Sequence, residues 1–407
     1  MNHPYWIVKL VSSLLVFVTG TIQAELTVDS DFEGGSGMVS EIDPEKQIIR
    51  IEPTDHPGKG WRCWWYVKIE GFQSDSKLTV NVGNAPWATP DRAHFRFDDE
   101  KTWQHSETGI REEKQISYTI PTISRQKILY VAWGPPFVPS DAEKLVNAVS
   151  QQHENATAFE LCKTREGRST PALLISAPKS PDMKARDVIW IQARQHAWES
   201  GSSWVAKGAI DWLVSDDSKA TKLRKRAEII VVPIMDIDNV ARGAGGKSQK
   251  PQDHNRDWSD KPHWNSVRAA QAQILEADQD GKLALFIDLH NPGANDRFPY
   301  FYTPPKESLS PLGGKNLGRF LADAKTEITG PLKFTGRAVE SGAKYDPEAW
   351  TAISKNWVSH HTTDHVVAVT LETSWNTPSS TAENYETVGR QLMIAVERYL
   401  RIDPRSK

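Results

Sequence analysis

Val188-Ile189-Trp190-Ile191 is an unbroken apolar run, and it leads within a few residues to Gln195-His196-Ala197-Trp198-Glu199. Four apolar residues with no polar alternation describe a strand buried on both faces. Three more such runs occur downstream: Ile229-Ile230-Val231-Val232, Leu283 to Ile287, and Val366 to Leu371. Helix-like stretches, Ser203 to Val214 and Ser266 to Leu275, lie between them. Buried strands alternating with helices predict an α/β domain around a mixed, largely parallel sheet flanked by helices.

Upstream the texture differs. Gln47 to Ile51, Cys63 to Ile69, Leu78 to Val82 and Ile128 to Ala132 are short alternating segments, separated by turn signals such as Pro57-Gly58. That spacing predicts an all-β antiparallel sandwich over residues 25–138. The run Trp133 to Asp141 marks the boundary, with Ser140 or Asp141 able to cap a following helix, so the second domain spans 139–407. Residues 1–24 read as a secretory signal: Lys9, a short apolar run from Leu10 to Val18, then Thr21-Ile22-Gln23-Ala24 ending in a small residue. The expected location is therefore secreted or periplasmic, with no integral membrane segment after cleavage. A net charge of −3 over 407 residues gives no reason to expect nucleic acid as a partner. Cys63 and Cys162 are the only cysteines, too few for a thiolate metal site; sequence leaves their pairing open.

Polar residues collect where the buried strands end. Val188–Ile191 leads to His196 and Glu199, Leu283–Ile287 leads to Asp288-Leu289-His290, and Val366–Leu371 leads directly to Glu372. In open α/β sheets, ligands gather beyond the carboxyl ends of the strands. Two histidines and a glutamate are the ligand set of a catalytic zinc with a position left for water. His196, Glu199 and His290 are the candidate ligands of one Zn2+ per chain, and Glu372 the candidate general base. An Asn255-Arg256 pair in Asp253-His254-Asn255-Arg256-Asp257-Trp258 suits recognition of a carboxylate. A competing pair, His361 and His365, lies just before the strand that leads to Glu372, without the glutamate of a His-Glu-x-x-His helix.

His196-x-x-Glu199, Asp253-x-Asn255-Arg256, His290 and Glu372 occur in the order in which funnelin-type zinc carboxypeptidases carry their ligand pair, carboxylate-binding pair, third ligand and catalytic glutamate. The chain also resembles the cytosolic-carboxypeptidase-like branch of that family, which places a β-sandwich before the catalytic domain. Trp64-Trp65-Tyr66-Val67 and the aromatic, proline-containing run Val131 to Asp141 are similar to that branch. The resemblance implies a zinc-carboxypeptidase-like α/β fold and zinc at His196, Glu199 and His290. It further implies that Asp253 orients His196 from behind, that Asn255 and Arg256 grip the terminal carboxylate, and that Glu372 is the base. The family's Asn-Pro-Asp-Gly segment is resembled by Asp236 to Val240, with departures. No arginine falls where the family holds its oxyanion-stabilising one, so Arg242 and Lys247 are the candidate cations. Tyr345 is the candidate for the family's mobile tyrosine.

The expected activity is hydrolysis of C-terminal residues from a peptide or protein. Two other readings use the same scaffold: a zinc amidase or deacylase acting on an acylated amino acid or cell-wall peptide, and a non-catalytic binding protein. Residues 341–357 are expected to line the pocket for the leaving residue. There Lys344 or Lys355 would favour an acidic side chain, and Trp350 or Trp357 an apolar one. Oligomeric state has no signature in the sequence.

Overall fold

The computed structural model describes residues 1, 25–83, 85, 89–123, 125–178, 186–341 and 349–406. Residues 2–24 of the signal-like segment therefore fall outside the described residues, as do Lys344 and Tyr345.

Two five-stranded sheets share one core in the first third of the chain. The first runs in the order Thr27–Asp29, Tyr66–Glu70, Ile128–Ala132, His94–Phe97 and Gln104–His105, with every pair antiparallel. The second runs Met38–Asp43, Ile48–Glu52, Lys77–Val82, Gln115–Pro121 and Ile110–Glu112. Alternation explains the packing: in Gln115–Pro121, Ile116, Tyr118 and Ile120 turn inward while their neighbours face out. One feature departs from the expectation of a wholly antiparallel sandwich, because Ile48–Glu52 pairs with Lys77–Val82 in parallel. The chain goes over to the other sheet (Tyr66–Glu70) between these two strands, so the second returns in the same direction as the first.

The helix after the boundary spans Pro139–Gln152, capped at Val138, and begins two residues earlier than a Ser140 cap would allow. Pro139 takes the first helical position, where its fixed φ suits the turn and its missing N–H is no loss. Asp141 acts from inside the helix, its carboxylate accepting the Val138 N–H at 3.0 Å.

The eight-stranded sheet follows the order Ala156–Lys163, Ser169–Ile175, Ala227–Val232, Asp187–Ala193, Leu283–His290, Val367–Glu372, Tyr300–Thr303 and Ala338–Glu340. Its four central strands, from Ala227–Val232 to Val367–Glu372, are parallel. Every residue of Asp187–Ala193 and Leu283–His290 is buried, as their unbroken apolar runs require. Helices Ser200–Val214 and Ala382–Tyr399 pack on the face showing Ile189, Ile191, Ile287 and Val369. Helices Asn265–Gln279 and Ser354–His361 pack on the opposite face, against Trp190, Phe286 and Ala368. No helix among the described residues is long and apolar enough to cross a membrane.

Helix Ser200–Val214 matters for the site because Glu199 immediately precedes it. It lies against Ala382–Tyr399 with glycine at both crossings. A Cβ at Gly208 would sit 2.0 Å from the Glu386 carbonyl oxygen, and one at Gly389 would sit 1.9 Å from that of Val205. Gly389→Ala should thus destabilise the fold by about 1–3 kcal/mol through overpacking. Denaturant unfolding of both proteins tests this, and an unchanged midpoint would refute the close approach.

Candidate metal centre and active-site cleft

The strand Asp187–Ala193 ends in a forced turn. Arg194 adopts φ +65°, a left-handed conformation that costs a non-glycine residue about 1–2 kcal/mol. Its buried guanidinium holds that turn closed, donating to the carbonyl oxygens of Ala197 (2.7 Å) and Phe137 (3.1 Å) and to Ser203 Oγ (3.3 Å). The turn delivers His196 and Glu199 to the sheet edge. His290 arrives as the last residue of its strand, level with Glu372, its register partner on the next.

His196, Glu199 and His290 meet, with candidate ligand atoms all within 4.8 Å of one another and all three residues buried. His196 Nδ1 lies 2.7 Å from Glu199 Oε1, and His290 Nδ1 lies 2.7 Å from Glu199 Oε2. The far nitrogen of each ring faces another carboxylate: His290 Nε2 is 2.9 Å from Asp288, and His196 Nε2 is 3.5 Å from Asp253. A carboxylate behind each imidazole is the arrangement that fixes the tautomer of a metal-bound histidine. Two Nδ1 atoms and a carboxylate, directed at one another without a lysine or arginine between them, fit zinc.

Electrostatics separate the two buried glutamates. Burial would raise Glu199, but the His196 and His290 imidazoles outweigh it and hold the carboxyl well below the usual range. Glu372 goes the other way. Burial pushes it up to about 8, with His290 pulling against the rise and Glu199 adding to it. Its Oε2 atom is buried with no hydrogen-bond partner among the described residues. Neighbouring acids pushed apart in this way are the pattern of divided catalytic roles.

These residues line one cleft of about 860 Å³, together with Lys247, Asn255, Arg256, Lys355, Tyr300 and Tyr302. Asn255 is held at both ends: its Oδ1 accepts the Ser354 N–H at 3.0 Å, and its Nδ2 lies 3.3 Å from His290 Nε2. Lys247 reaches to 3.4 Å from His196 Nε2. Arg242, the other candidate cation, is placed away from the cleft, bonded through both oxygens to Glu166 at 2.6 and 2.8 Å. It sits at the C-terminal end of helix Ile237–Arg242 and points back along it towards that surface carboxylate. Among the described residues of 341–357, Ser341, Ile353 and Lys355 face the cleft, whereas Trp357 is core against Trp258. Tyr345 lies outside the described residues.

The His361–His365 pair does not assemble. The helix ends at His361, whose Nδ1 turns back to the Trp357 carbonyl at 2.7 Å, while His365 Nε2 lies 2.9 Å from the Leu283 carbonyl. Four positions at the candidate site carried no motif of their own. Asp288 is fully buried and accepts from Gln195 Nε2 and Ser354 Oγ, each at 2.6 Å, as well as facing His290. Its place two residues before His290 was the available signal. Arg194 and Gln195 adjoin His196, and Tyr300 pairs in register with Glu372. Both cysteines carry free thiols.

A family model described as "Peptidase_M14: Zinc carboxypeptidase" matches residues 142–395, more than half of the chain. The chain belongs to the zinc carboxypeptidase family. Among curated proteins it is similar to cytosolic carboxypeptidase 6 of Caenorhabditis elegans, with 24% identity over 77% of this chain and 72% of that one. It is also similar to an uncharacterized protein of Zymomonas mobilis, with 27% identity over 58% of this chain; the match spans only 60% of that relative's length. A metallo-carboxypeptidase from Burkholderia cenocepacia has the same fold, at TM-score 0.78 and 22% identity, covering 93% of this chain and 99% of that one. Zinc dependence belongs to this zinc carboxypeptidase family, and the His196–Glu199–His290 group fits such a site.

If Asp253 holds His196 from behind, Asp253→Ala should weaken zinc binding roughly 10–100-fold while the fold is kept. Competition against a chromophoric chelator measures this directly. Affinity equal to wild type would remove Asp253 from the metal site.

Proposed function

We propose that this protein is a zinc-dependent carboxypeptidase that removes single C-terminal residues from peptides, preferring an acidic one, with Glu372 as general base. The observation that carries the reading is the company the candidate metal group keeps. Arg256, Asn255 and Lys355 share its cleft, so an anion-binding end lies beside the reaction centre.

Zinc held by His196, Glu199 and His290 would polarise the scissile carbonyl and lower the pKa of a water molecule. The protein's own groups supply the rest. Arg256 offers a planar guanidinium suited to two parallel hydrogen bonds with the terminal carboxylate, and Asn255 adds an amide donor. Anchoring the terminus this way limits cleavage to the last peptide bond. Glu372, at the strand end, takes the proton of the attacking water and returns it to the leaving amine. Lys247, beside His196, is the cation available to the oxyanion that develops in the transition state. Residues 1–24 support export as part of the same proposal.

Lys355 supports the acidic preference. It is fully buried, and burial, aided by the positive charge of Arg256, depresses its pKa to about 7. A depressed lysine keeps its charge below that value and loses it above. The ratio of kcat/KM for peptides ending in Glu over Gln should therefore be largest below pH 7 and decline as pH rises through it. Lys355→Met should bring the ratio close to one at every pH. A pH-independent ratio in the wild type would remove Lys355 from the pocket.

Glu372→Gln should keep zinc and lower kcat by roughly 10²–10⁴-fold, the usual contribution of a general base. Elemental analysis alongside hydrolysis of peptides with free and amidated C-termini tests the whole reading. Cleavage of amidated peptides as fast as free ones would favour an amidase, and full activity in the variant would exclude the base.

A further inference from the structure

The anion-binding residues occupy only one end of the cleft. Lys355 belongs to helix Ser354–His361, which packs on the Trp190–Phe286–Ala368 face of the sheet. On the side from which helix Ser200–Val214 departs, apolar side chains form a wall of the same cleft. Trp198 leads into helix Ser200–Val214 on that side. Trp375 follows Glu372 by three residues, and Pro292 and Ala294 follow His290. Trp61, from the N-terminal sandwich, completes this wall, its ring stacked on Trp198 at 6.3 Å and 22°.

Trp61 is held as a fixed part of the site. The loop that carries it lies along the loop that carries Lys247, joined by three main-chain hydrogen bonds. Gly246 N–H donates to the Lys59 carbonyl (2.9 Å), Trp61 N–H to that of Lys247 (2.9 Å), and Lys250 N–H to that of Gly58 (2.8 Å). Glycine permits the approach. At Gly60, with φ +98°, a Cβ would lie 2.6 Å from Gly246 N, and at Gly245 it would lie 2.1 Å from the Trp61 carbonyl oxygen. Behind Trp61, Trp198 and Trp375 both pack on Trp133, at 5.1 and 4.3 Å, within the sandwich core. The wall is thus rigid and shared by both parts of the chain, while Trp61 itself stays half-exposed to the cleft.

We propose that this wall is a binding subsite for an apolar, above all aromatic, side chain on the amino side of the scissile bond, to which the N-terminal sandwich contributes Trp61. The inference rests on the carboxypeptidase reading. With the substrate's carboxylate at Arg256 and its scissile carbonyl at the metal group, the acyl segment must leave towards the opposite end. There it meets indole faces, which stack on aromatic rings and shed water readily. The subsite thus selects for the penultimate residue, whereas the Arg256–Lys355 end selects for the last one.

Two blocked peptides that share a C-terminal Glu and differ only in a penultimate Phe or Ala test this. Wild-type enzyme should favour the Phe peptide by about tenfold in kcat/KM, the scale on which apolar pockets discriminate. Trp61→Ala should bring the ratio near one with zinc content unchanged, and Trp61→Phe, which keeps a ring, should retain the preference. Equal rates for both peptides in the wild type, or a ratio untouched in Trp61→Ala, would overturn the subsite and leave the carboxypeptidase reading standing. Failure of the zinc-loaded wild type to cleave either peptide would overturn both.

Discussion

Parallel register is the constraint on which the rest of this molecule depends. Leu283–His290 and Val367–Glu372 run side by side and end level, so that His290 and Glu372 are register partners. Asp187–Ala193 lies on the other side of Leu283–His290 with Ala193 opposite Leu289, and the chain then turns at Arg194 to bring in His196 and Glu199. A shift of one residue along any of these strands would turn its terminal side chain to the other face of the sheet. The register is held by burial on both faces, since each slip would move a full set of apolar side chains out of its core.

Burial is also what gives the site its chemistry. Polar groups withdrawn from water must be satisfied or they destabilise the fold. Here the requirement is met by a chain of contacts. Trp258 Nε1 donates to Gln195 Oε1 at 2.8 Å, and Gln195 and Ser354 donate to Asp288, which faces His290. One buried carboxylate therefore touches a candidate metal ligand, the residue preceding another, and the start of the helix that carries Lys355. The same dryness raises Glu372 and lowers Lys355, while two imidazoles hold Glu199 down. The two side chains are identical but differ in state because Glu199 lies between two imidazoles, whereas burial dominates at Glu372.

The sandwich is coupled to this centre through aromatic packing and through the glycine-permitted contact of the 58–61 and 245–250 loops. Trp198 stands in sequence between two candidate ligands and in space within the sandwich core. Motion of the sandwich relative to the sheet would disturb the ligand turn.

Much of this was legible in the linear chain. Short apolar runs rich in β-branched residues and set between helix-like stretches read as strands buried on both faces, which made the parallel sheet readable from Val188–Ile191, Ile229–Val232, Leu283–Ile287 and Val366–Leu371. Histidine and carboxylate residues placed where those runs end marked the site, because strand ends in such a sheet converge on one edge. Other features had no local signal. Arg242 and Lys247 are cations only five residues apart, and only packing turned one towards Glu166 and the other towards His196. His361 and His365 are spaced for a helical face, yet the helix stops at His361 and each ring takes a different backbone carbonyl. Trp61 and the parallel pair in the sandwich were equally silent, since each depends on contacts between residues far apart in the chain. Sequence by itself determined which residues could carry the chemistry and the strands that bring them together, because periodicity and residue type are local properties. Only the tertiary structure decided which cation faces the cleft, which carboxylate stands behind His290 and which tryptophans form the cleft wall, because burial and direction are set by what the rest of the chain packs against.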